Sequence, residues 1–425
     1  MKKRRQVNQN GILRNEKGMV LAVTLMLIAA LALLGTTTVM TITTDLKIAG
    51  NYRESARALY NAEAGVHAVI AKIDECGFTW PAIGSSQTVT VTAPSGYSFD
   101  NGSGGAAISV TKEDKTYYWF QVTGYGTSNS NARKTIKVYF RREPFGVFAE
   151  GLVDLGANSH IYSYNSNTTP NPNPANYPAA STGKGYVGTN VQVHAQENSY
   201  ISGNIGLGAS SGGDDATYDP SETTTLTGIS TKVCRVAPDP LGAVGGELAI
   251  NFTTYSSSND NAAFMTCSAG ACTASPGKIN TGMLNSVTLT GKTGGSNFYF
   301  TEITLEAGAT LTINPTDGPV NIYLTGKLNA KTGSTIIING LPPSLTIYSK
   351  GNENIELKHF GNFKGTVYAP YAKVIVKNNT DFFGLMWGNE IDIQNTVRLF
   401  YDEALKNELP LNDGIGIITS WKDVM

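Results

Sequence analysis

The sequence predicts a mainly β protein that begins with one long α-helix, continues into a small antiparallel sheet and ends in a parallel, right-handed β-helix. Three observations predict this order. Residues 18–44 form an uncharged apolar run, alternating strands follow over 87–143, and short strands recur at steps of about 19–28 residues over 300–400. We therefore divide the chain into a basic leader at 1–18, a transmembrane and amphipathic helix at 19–76, a small β subdomain at 77–145 and a β-helical domain at 146–425.

Composition limits the classes of function. The 425 residues carry a formal net charge of −1, and only 15% of them are charged. Because there is no basic excess, a nucleic-acid partner is not expected. No glycine-rich loop follows a strand and opens a helix, so no nucleotide or other cofactor is expected either. The 46 glycines favour extracellular β-structure with tight turns.

The apolar run is long enough to cross a bilayer. Its length of about 27 residues gives about 40 Å of helix, against a hydrocarbon core of about 30 Å. A cleaved secretory signal has a shorter apolar region, of about 7–15 residues, although Ala30–Ala32 imitates a signal-peptidase site. Six basic residues and one acid precede Gly18, so we expect a cytoplasmic N-terminus and a single pass through the inner membrane.

Helical spacing continues beyond the apolar run, and we expect the small sheet to bury the stripe that it creates. The stripe consists of apolar residues three, four or seven positions apart: Leu46, Ala49, Tyr52, Ala56, Leu59, Val66, Ile70 and Ile73. Gly50 interrupts the stripe and is expected to bend the helix. A membrane anchor followed by a separate short core helix is the alternative.

The N-terminal region resembles a known family. Lys17–Gly18, followed by Met19 and an apolar helix, resembles a type IV pilin-like leader. With "IAGNYR" at 48–53 and "ALYNAEAG" at 58–65, the region is similar to the PilX family of minor pilins. The resemblance implies cleavage after Gly18 by the prepilin peptidase, retention of the helix, and partners among other pilins and the pilus assembly machinery. It places the chain in the inner membrane and then in the periplasm or an extracellular pilus.

One position departs from the pattern of major pilins, which have a glutamate five residues after the cut. Counted from Met19, that position is Val23. Minor pilins that lack the acid lie at or near the filament tip. The resemblance therefore implies a structural, low-copy subunit that is tip-associated and presents a β-helical head, with adhesion as a role for the head.

The C-terminal region has a resemblance of its own. "GTVYAP" at 365–370, "DFFG" at 381–384 and "YDEAL" at 401–405 occur in the order found in the β-helical domain often joined to PilX-like N-termini. The Ile, Val and Leu residues of the short strands over 300–400, Ile337 among them, are expected to face inward and to stack from coil to coil. An antiparallel sandwich with the same alternation stays open. The Pro/Asn-rich and Ser/Gly-rich stretches before residue 277 are interpreted as long loops.

Cysteine spacing predicts one local disulfide. Cys267 and Cys272 enclose four residues, and a small hairpin brings such a pair within bridging range. Two loop thiols are the alternative. Spacing does not decide whether Cys76 and Cys234 pair.

No catalytic or metal-binding constellation is predicted, so we expect a protein that is not an enzyme. The acids of 300–400 are sparse and are not expected to concentrate at one-coil spacing, which disfavours the paired carboxylates of a glycosidase. The four histidines are far apart in sequence: His67, His160, His194 and His359. An acidic turn could hold calcium loosely, but the EF-hand pattern is absent; its members are Asp214, Asp215 and Asp219.

A second class of function stays open. The chain could be a membrane-anchored surface protein whose β-helix binds or modifies carbohydrate. The junction at Gly18 and Met19 favours the pilin interpretation. A surface or carbohydrate ligand of the head cannot be identified from the sequence.

Overall fold

A computed structural model gives the architecture of the chain. It describes residues 10–73, 78, 81, 84–99, 106–113, 117–127, 131–170, 172–209, 215–236, 241, 247–268, 270–274, 277–358, 361–377, 380–394, 396–407 and 414–424.

The N-terminal helix α1 (Asn10–Ile73) is a single element of 64 residues, so the alternative of two separate helices is wrong. Gly35 and Gly50 lie inside it, at a cost of about 1 kcal/mol each relative to alanine. Threonine hydroxyl groups donate to carbonyl oxygens three or four residues earlier, at 2.8–3.0 Å, which satisfies these polar groups within an apolar stretch.

Short strands make up most of the remaining described residues. The strands are β1 (Ser86–Val91), β2 (Ala106–Lys112), β3 (Tyr117–Tyr125), β4 (Arg133–Pro144), β5 (Val147–Ala149), β6 (Leu152–Leu155), β7 (His160–Tyr164), β8 (Val187–Thr189), β9 (Gln192–Ala195), β10 (Tyr200–Ile201), β11 (Ile205–Ala209), β12 (Thr217–Pro220), β13 (Thr225–Leu226), β14 (Ser230–Cys234), β15 (Met265–Cys267), β16 (Cys272–Thr273), β17 (Lys278–Thr281), β18 (Ser286–Thr290), β19 (Ser296–Phe300), β20 (Glu302–Leu305), β21 (Thr310–Asn314), β22 (Val320–Leu324), β23 (Leu328–Ala330), β24 (Thr335–Ile338), β25 (Leu345–Ser349), β26 (Ile355–Leu357), β27 (Phe363–Val376), β28 (Asp381–Ile393), β29 (Arg398–Asp402) and β30 (Gly414–Val424). Two helices, α2 (Glu247–Ser257) and α3 (Asn261–Phe264), and three short 3₁₀ turns, Pro174–Asn176, Pro342–Ser344 and Glu403–Asn407, complete the elements.

A five-stranded antiparallel sheet receives the C-terminal half of α1. Its order is β1-β2-β3-β4-β30, so the last described strand of the chain closes the sheet beside β4. The assignment of residues 414–424 to the β-helical domain is therefore wrong, because they pair with β4 in this sheet. The cross-strand pair Pro144–Gly414 marks the place where the chain leaves this sheet and later returns to it.

The region between β4 and β30, which we call the coil domain, pairs its strands in parallel. One ladder contains β17, β20, β23 and β26, and a second contains β18, β21 and β24. Ser286 pairs with Thr310 and Thr310 with Thr335, so one step takes about 24–25 residues. An antiparallel sandwich is therefore wrong for these strands. Closed winding as a β-helix and its right hand stay predictions.

The order of the steps in space differs from their order in sequence. β28 and β29 pair on one side with the strands that precede them and on the other side with β5, β6 and β7. The stack therefore begins at residue 278, runs to 402, continues with 147 and ends at 234. The chain enters this stack after β4 and leaves it before β30, and both connections lie at the middle of the stack. The coil domain is therefore an insertion between two neighbouring strands of the five-stranded sheet.

Side chains alternate along the coil strands, and one expected inward residue points outward. Ile336 and Ile338 are 4% and 7% exposed, whereas Ile337 is 43% exposed. The assignment of Ile337 to the interior is therefore wrong, because the period of two places its neighbours inside. Trp387 is fully buried in the same core.

The two ends of the stack are protected by different means. At one end β15 and β16 add antiparallel strands to β18 and β17, and a disulfide joins the two added strands. At the other end β12 and β14 are edge strands within the described residues. Pro220 and the ion pair between Lys232 and Asp215 lie at that edge, and such residues discourage further strand pairing.

Candidate functional site: an exposed apolar helix

The N-terminal half of α1 presents an apolar surface that no described residue of the chain covers. Every residue from 18 to 53 is exposed, and the most apolar 18-residue window has a mean hydropathy of 2.5 with none of it buried. Met19 is 66% exposed and Val23 is 58% exposed. An apolar surface of this length requires lipid or other apolar helices around it.

The C-terminal half of α1 is seated on the sheet through small residues. An ideal Cβ on Gly124 would lie 2.1 Å from the Ala58 carbonyl oxygen and 2.2 Å from the Ala62 amide nitrogen. A Cβ on Gly65 would lie 2.5 Å from a methyl carbon of Val122. Glycine at 65 and 124 therefore allows helix and sheet to approach more closely than any larger residue would.

Polar contacts fix the register of this seat. The Thr127 amide donates to the Glu54 carboxylate at 2.7 Å, and the Asn61 side-chain amide donates to the Tyr125 carbonyl. Asn61 is buried. A buried amide is costly without a partner, so these bonds favour one position of the helix along the strands.

The predicted apolar stripe is correct only in its C-terminal part. Leu46 and Tyr52 are exposed, while Val66 and Ile73 are buried. Burial against the sheet begins at residue 58, and the buried positions are Ala58, Asn61, Ala62, Gly65, Val66, Val69 and Ile73. Small residues and one amide therefore form much of the contact between helix and sheet. A prediction from the spacing of large apolar residues gives such residues little weight.

The residues predicted for processing and for the disulfide lie far apart in the sequence. No neighbouring atom lies within 4 Å of an ideal Cβ built on Gly18, so the junction between Gly18 and Met19 is uncovered. Cys267 and Cys272 are bonded, with their Cα atoms 6.2 Å apart, and they join β15 to β16. Cys76 lies outside the described residues, so its relation to Cys234 is not tested.

The acidic turn is held by ordinary partners in its described part. Asp215 forms an ion pair with Lys232, and Asp219 accepts from the Gln192 side chain at 3.4 Å. Asp214 lies outside the described residues. No group of three or more metal-ligating side chains occurs in the described part of the chain.

The histidines are separated, and three of them have described surroundings. His67 is exposed on α1, with its ring 6.2 Å from that of Trp421. Burial lowers the pKa of His160, which lies on β7 among aromatic rings. His194 contacts Asp154 at 2.8 Å. His359 lies outside the described residues.

One acid of residues 300–400, Asp392, belongs to a row that is completed by residues from outside that range. Asp392, Asp154, His194 and Asp219 occupy consecutive positions of one ladder. Lys373 lies 3.5 Å from Asp392, and His194 contacts Asp154, so each carboxylate has a partner. The sequence hides this row because Asp392 and Asp154 come from opposite halves of the permuted stack. The partners make the row a surface charge network rather than a pair of carboxylates facing an open gap.

Taken together, these features define a class. An apolar helix that is exposed at its N-terminal half and seated on a small antiparallel sheet at its C-terminal half is the pilin-like arrangement. The continuously exposed part of the helix ends at residue 53, and its packing against the folded domain follows.

Comparison with known families gives the particular type. Residues 17–67 match the family described as PilX N-terminal, so the N-terminal region is that of a PilX-like, pilus-related minor pilin. Residues 255–408 match the family described as Domain of unknown function (DUF7305). No curated protein matches this chain.

Solved structures include a distant likeness. The competence-associated pilin ComZ from Thermus thermophilus aligns with 87% of this chain and 97% of its own chain, at 12% sequence identity and a TM-score of 0.25. At that TM-score the likeness carries no weight for fold or function.

Proposed function

We propose that this chain is a structural minor pilin that is cleaved after Gly18, joins a pilus through α1 and carries the coil domain as its head. The observation that supports the proposal is the uncovered apolar half of α1. Its 18–44 segment can lie in the inner membrane before assembly and among neighbouring helices afterwards. The prepilin peptidase, the other pilins and the assembly machinery are the proposed partners, and the periplasm or an extracellular pilus is the proposed final location.

The mature N-terminus tests the cleavage. Mass spectrometry of the chain from assembled filaments should show loss of residues 1–18 and a start at Met19. Gly18→Phe should leave the precursor intact in the inner membrane, whereas Gly35→Phe, a matched change inside the helix, should still be cleaved. An intact Met1 or a start beyond Ala32 would contradict the proposal.

Position in the filament is the finer part of the proposal, and it depends on Val23. A glutamate in an apolar layer is favourable only when a partner charge is present, because an unpaired charge in hydrocarbon costs several kcal/mol. Valine suits a subunit with no neighbour above it. We therefore place the chain in low copy at or near the tip, where the coil domain would be displayed for adhesion.

Labelling tests the placement independently of cleavage. Gold-conjugated antibody against the coil domain should decorate the ends of sheared filaments. Uniform labelling along the shaft, with a stoichiometry like that of the major subunit, would refute the tip position. A surface-binding assay of filaments with and without this chain tests the adhesive role.

A further inference from the structure

The outer face of the five-stranded sheet, opposite α1, carries a cluster of cations and aromatic rings. Its members are Tyr117, Trp119, Lys137, Tyr139, Arg141 and Lys422, and we call it the sheet patch. Alternation on β3 and β4 sends their neighbours Tyr118, Phe120, Val138 and Phe140 into the core beneath α1. The patch is thus a surface of the sheet that the helix leaves uncovered.

Two lysines of the sheet patch are placed where like charges repel. Lys137 on β4 and Lys422 on β30 are directly opposite each other in the antiparallel register. Side chains at such positions are about 4.5–5.5 Å apart at Cβ, and like charges there are destabilising. In the described part of the chain, neither ammonium lies within ion-pair distance of a carboxylate, whereas Arg141 on the same face is paired with Glu143.

The aromatic rings hold these ammonium groups in position. Lys137 Nζ lies 3.8 Å from the centre of the Trp119 ring and 4.8 Å from that of Tyr139, and Lys422 Nζ lies 5.6 Å from the Tyr139 ring. Cation–π contacts of this kind reduce the freedom of the side chains before any ligand arrives. An anion bound between these two fixed cations would reduce the repulsion between them.

We infer that the sheet patch docks a carboxylate-bearing segment of another polypeptide. The patch lies on the face of a sheet, and such a face suits a protein segment more than a small molecule, which binds in a concave site. The lysines already cover the Trp119 and Tyr139 rings, so the patch offers little free ring surface for stacking a nucleobase or a sugar. A few cations on a chain of net charge −1 match two or three carboxylates better than a long polyanion, which would need cations along its whole path.

A binding measurement with the full chain in detergent micelles tests the inference. The probe is a fluorescent ten-residue peptide of alternating glutamate and serine, followed by anisotropy at about 20 mM and about 300 mM salt. Wild type should bind at low salt and weaken at high salt, and Lys137→Gln with Lys422→Gln together should weaken binding at least about tenfold. Lys350→Gln, which removes an exposed lysine of the coil domain, should change binding less than about twofold.

Stability separates a docking role from a structural one. If repulsion between the two lysines destabilises the fold and a bound partner offsets it, Lys422→Gln should leave the melting temperature unchanged or raise it. The same substitution should weaken binding of the peptide. Absence of peptide binding by wild type at low salt, or equal binding by the double variant, would overturn the inference. Tighter binding of an oligogalacturonate or of single-stranded oligothymidine with the same number of charges would overturn the assignment to a polypeptide.

Discussion

The strand β24 offers a matched pair of substitutions that tests the packing of the coil domain. Ile336 is 4% exposed and pairs with Leu311, while Ile337 is 43% exposed and pairs with Thr312. We expect Ile336→Asp to destabilise the coil domain strongly and Ile337→Asp to have little effect. The two variants differ by one position in one strand, so helix content, net charge and expression burden are matched.

The expected magnitude follows from the burial of Ile336. Removal of a buried isoleucine side chain costs about 2–5 kcal/mol, and an unpaired carboxylate in the same place adds several kcal/mol. The sum reaches the total stability of about 5–15 kcal/mol that a typical domain has. Ile337→Asp should stay within about 0.5 kcal/mol, because substitutions on an exposed face rarely exceed that. Ile336→Ala gives an intermediate loss of about 2–5 kcal/mol that can be measured without complete unfolding.

Urea unfolding followed by tryptophan fluorescence is a suitable assay, since Trp387 is fully buried in the coil core. The Ile336 variants should shift the transition of this signal to lower urea, and the Ile337 variants should overlay wild type. Equal losses at the two positions, or a larger loss at Ile337, would refute the inward and outward assignment on which the described packing depends.

Four further substitutions have expected outcomes. Gly124→Ala should lower the melting temperature by an amount equivalent to about 1–3 kcal/mol, because its Cβ meets the backbone of α1, whereas Gly50→Ala, with no atom within 4 Å, should raise stability by about 0.5–1 kcal/mol. Cys267→Ser should cost about 2 kcal/mol in urea unfolding, and a reductant should lower wild type to the same value without affecting the variant. Hydrogen bonding from Lys278, with smaller contributions from other neighbours, holds the pKa of Glu302 at about 2, below its ordinary 4.5. The stabilisation by the ionised Glu302 is thus present above about pH 4.5 and is lost as the pH falls through about 2. In thermal unfolding, Glu302→Gln should therefore cost about 1 kcal/mol of stability at pH 7 and nothing near pH 2. An equal cost at both pH values would contradict the assignment.

Local pattern was enough to predict the elements that depend on near neighbours. The uncharged run at 18–44 and the spacing beyond it predicted one continuous helix, and α1 confirms it. The repeat of short strands predicted parallel ladders, because consecutive steps of similar length place like residues above one another. Both signals lie within windows of about 30 residues, which a single sequence can reveal.

Long-range relations could not be predicted in the same way. Nothing near Asp392 indicates that its neighbour in space is Asp154, since the permuted stack brings together residues from its two halves. The return of β30 to the first sheet is equally remote in sequence. The phase of the α1 seat was missed for a different reason: its closest contacts involve glycine and alanine, which carry little hydrophobic signal but allow the backbones to approach.

The insertion of the coil domain beside the pair Pro144–Gly414 makes it a replaceable cassette. Cross-strand partners are separated by about 5 Å, so a two-residue turn could join β4 to β30 and restore a plain hairpin. The shortened subunit would keep α1 and all five strands of its sheet, and with them the surfaces proposed for anchoring and assembly. Lineages could therefore exchange or enlarge the head while the assembly machinery continues to meet the same subunit base, and an engineer could graft a foreign domain at the same two positions.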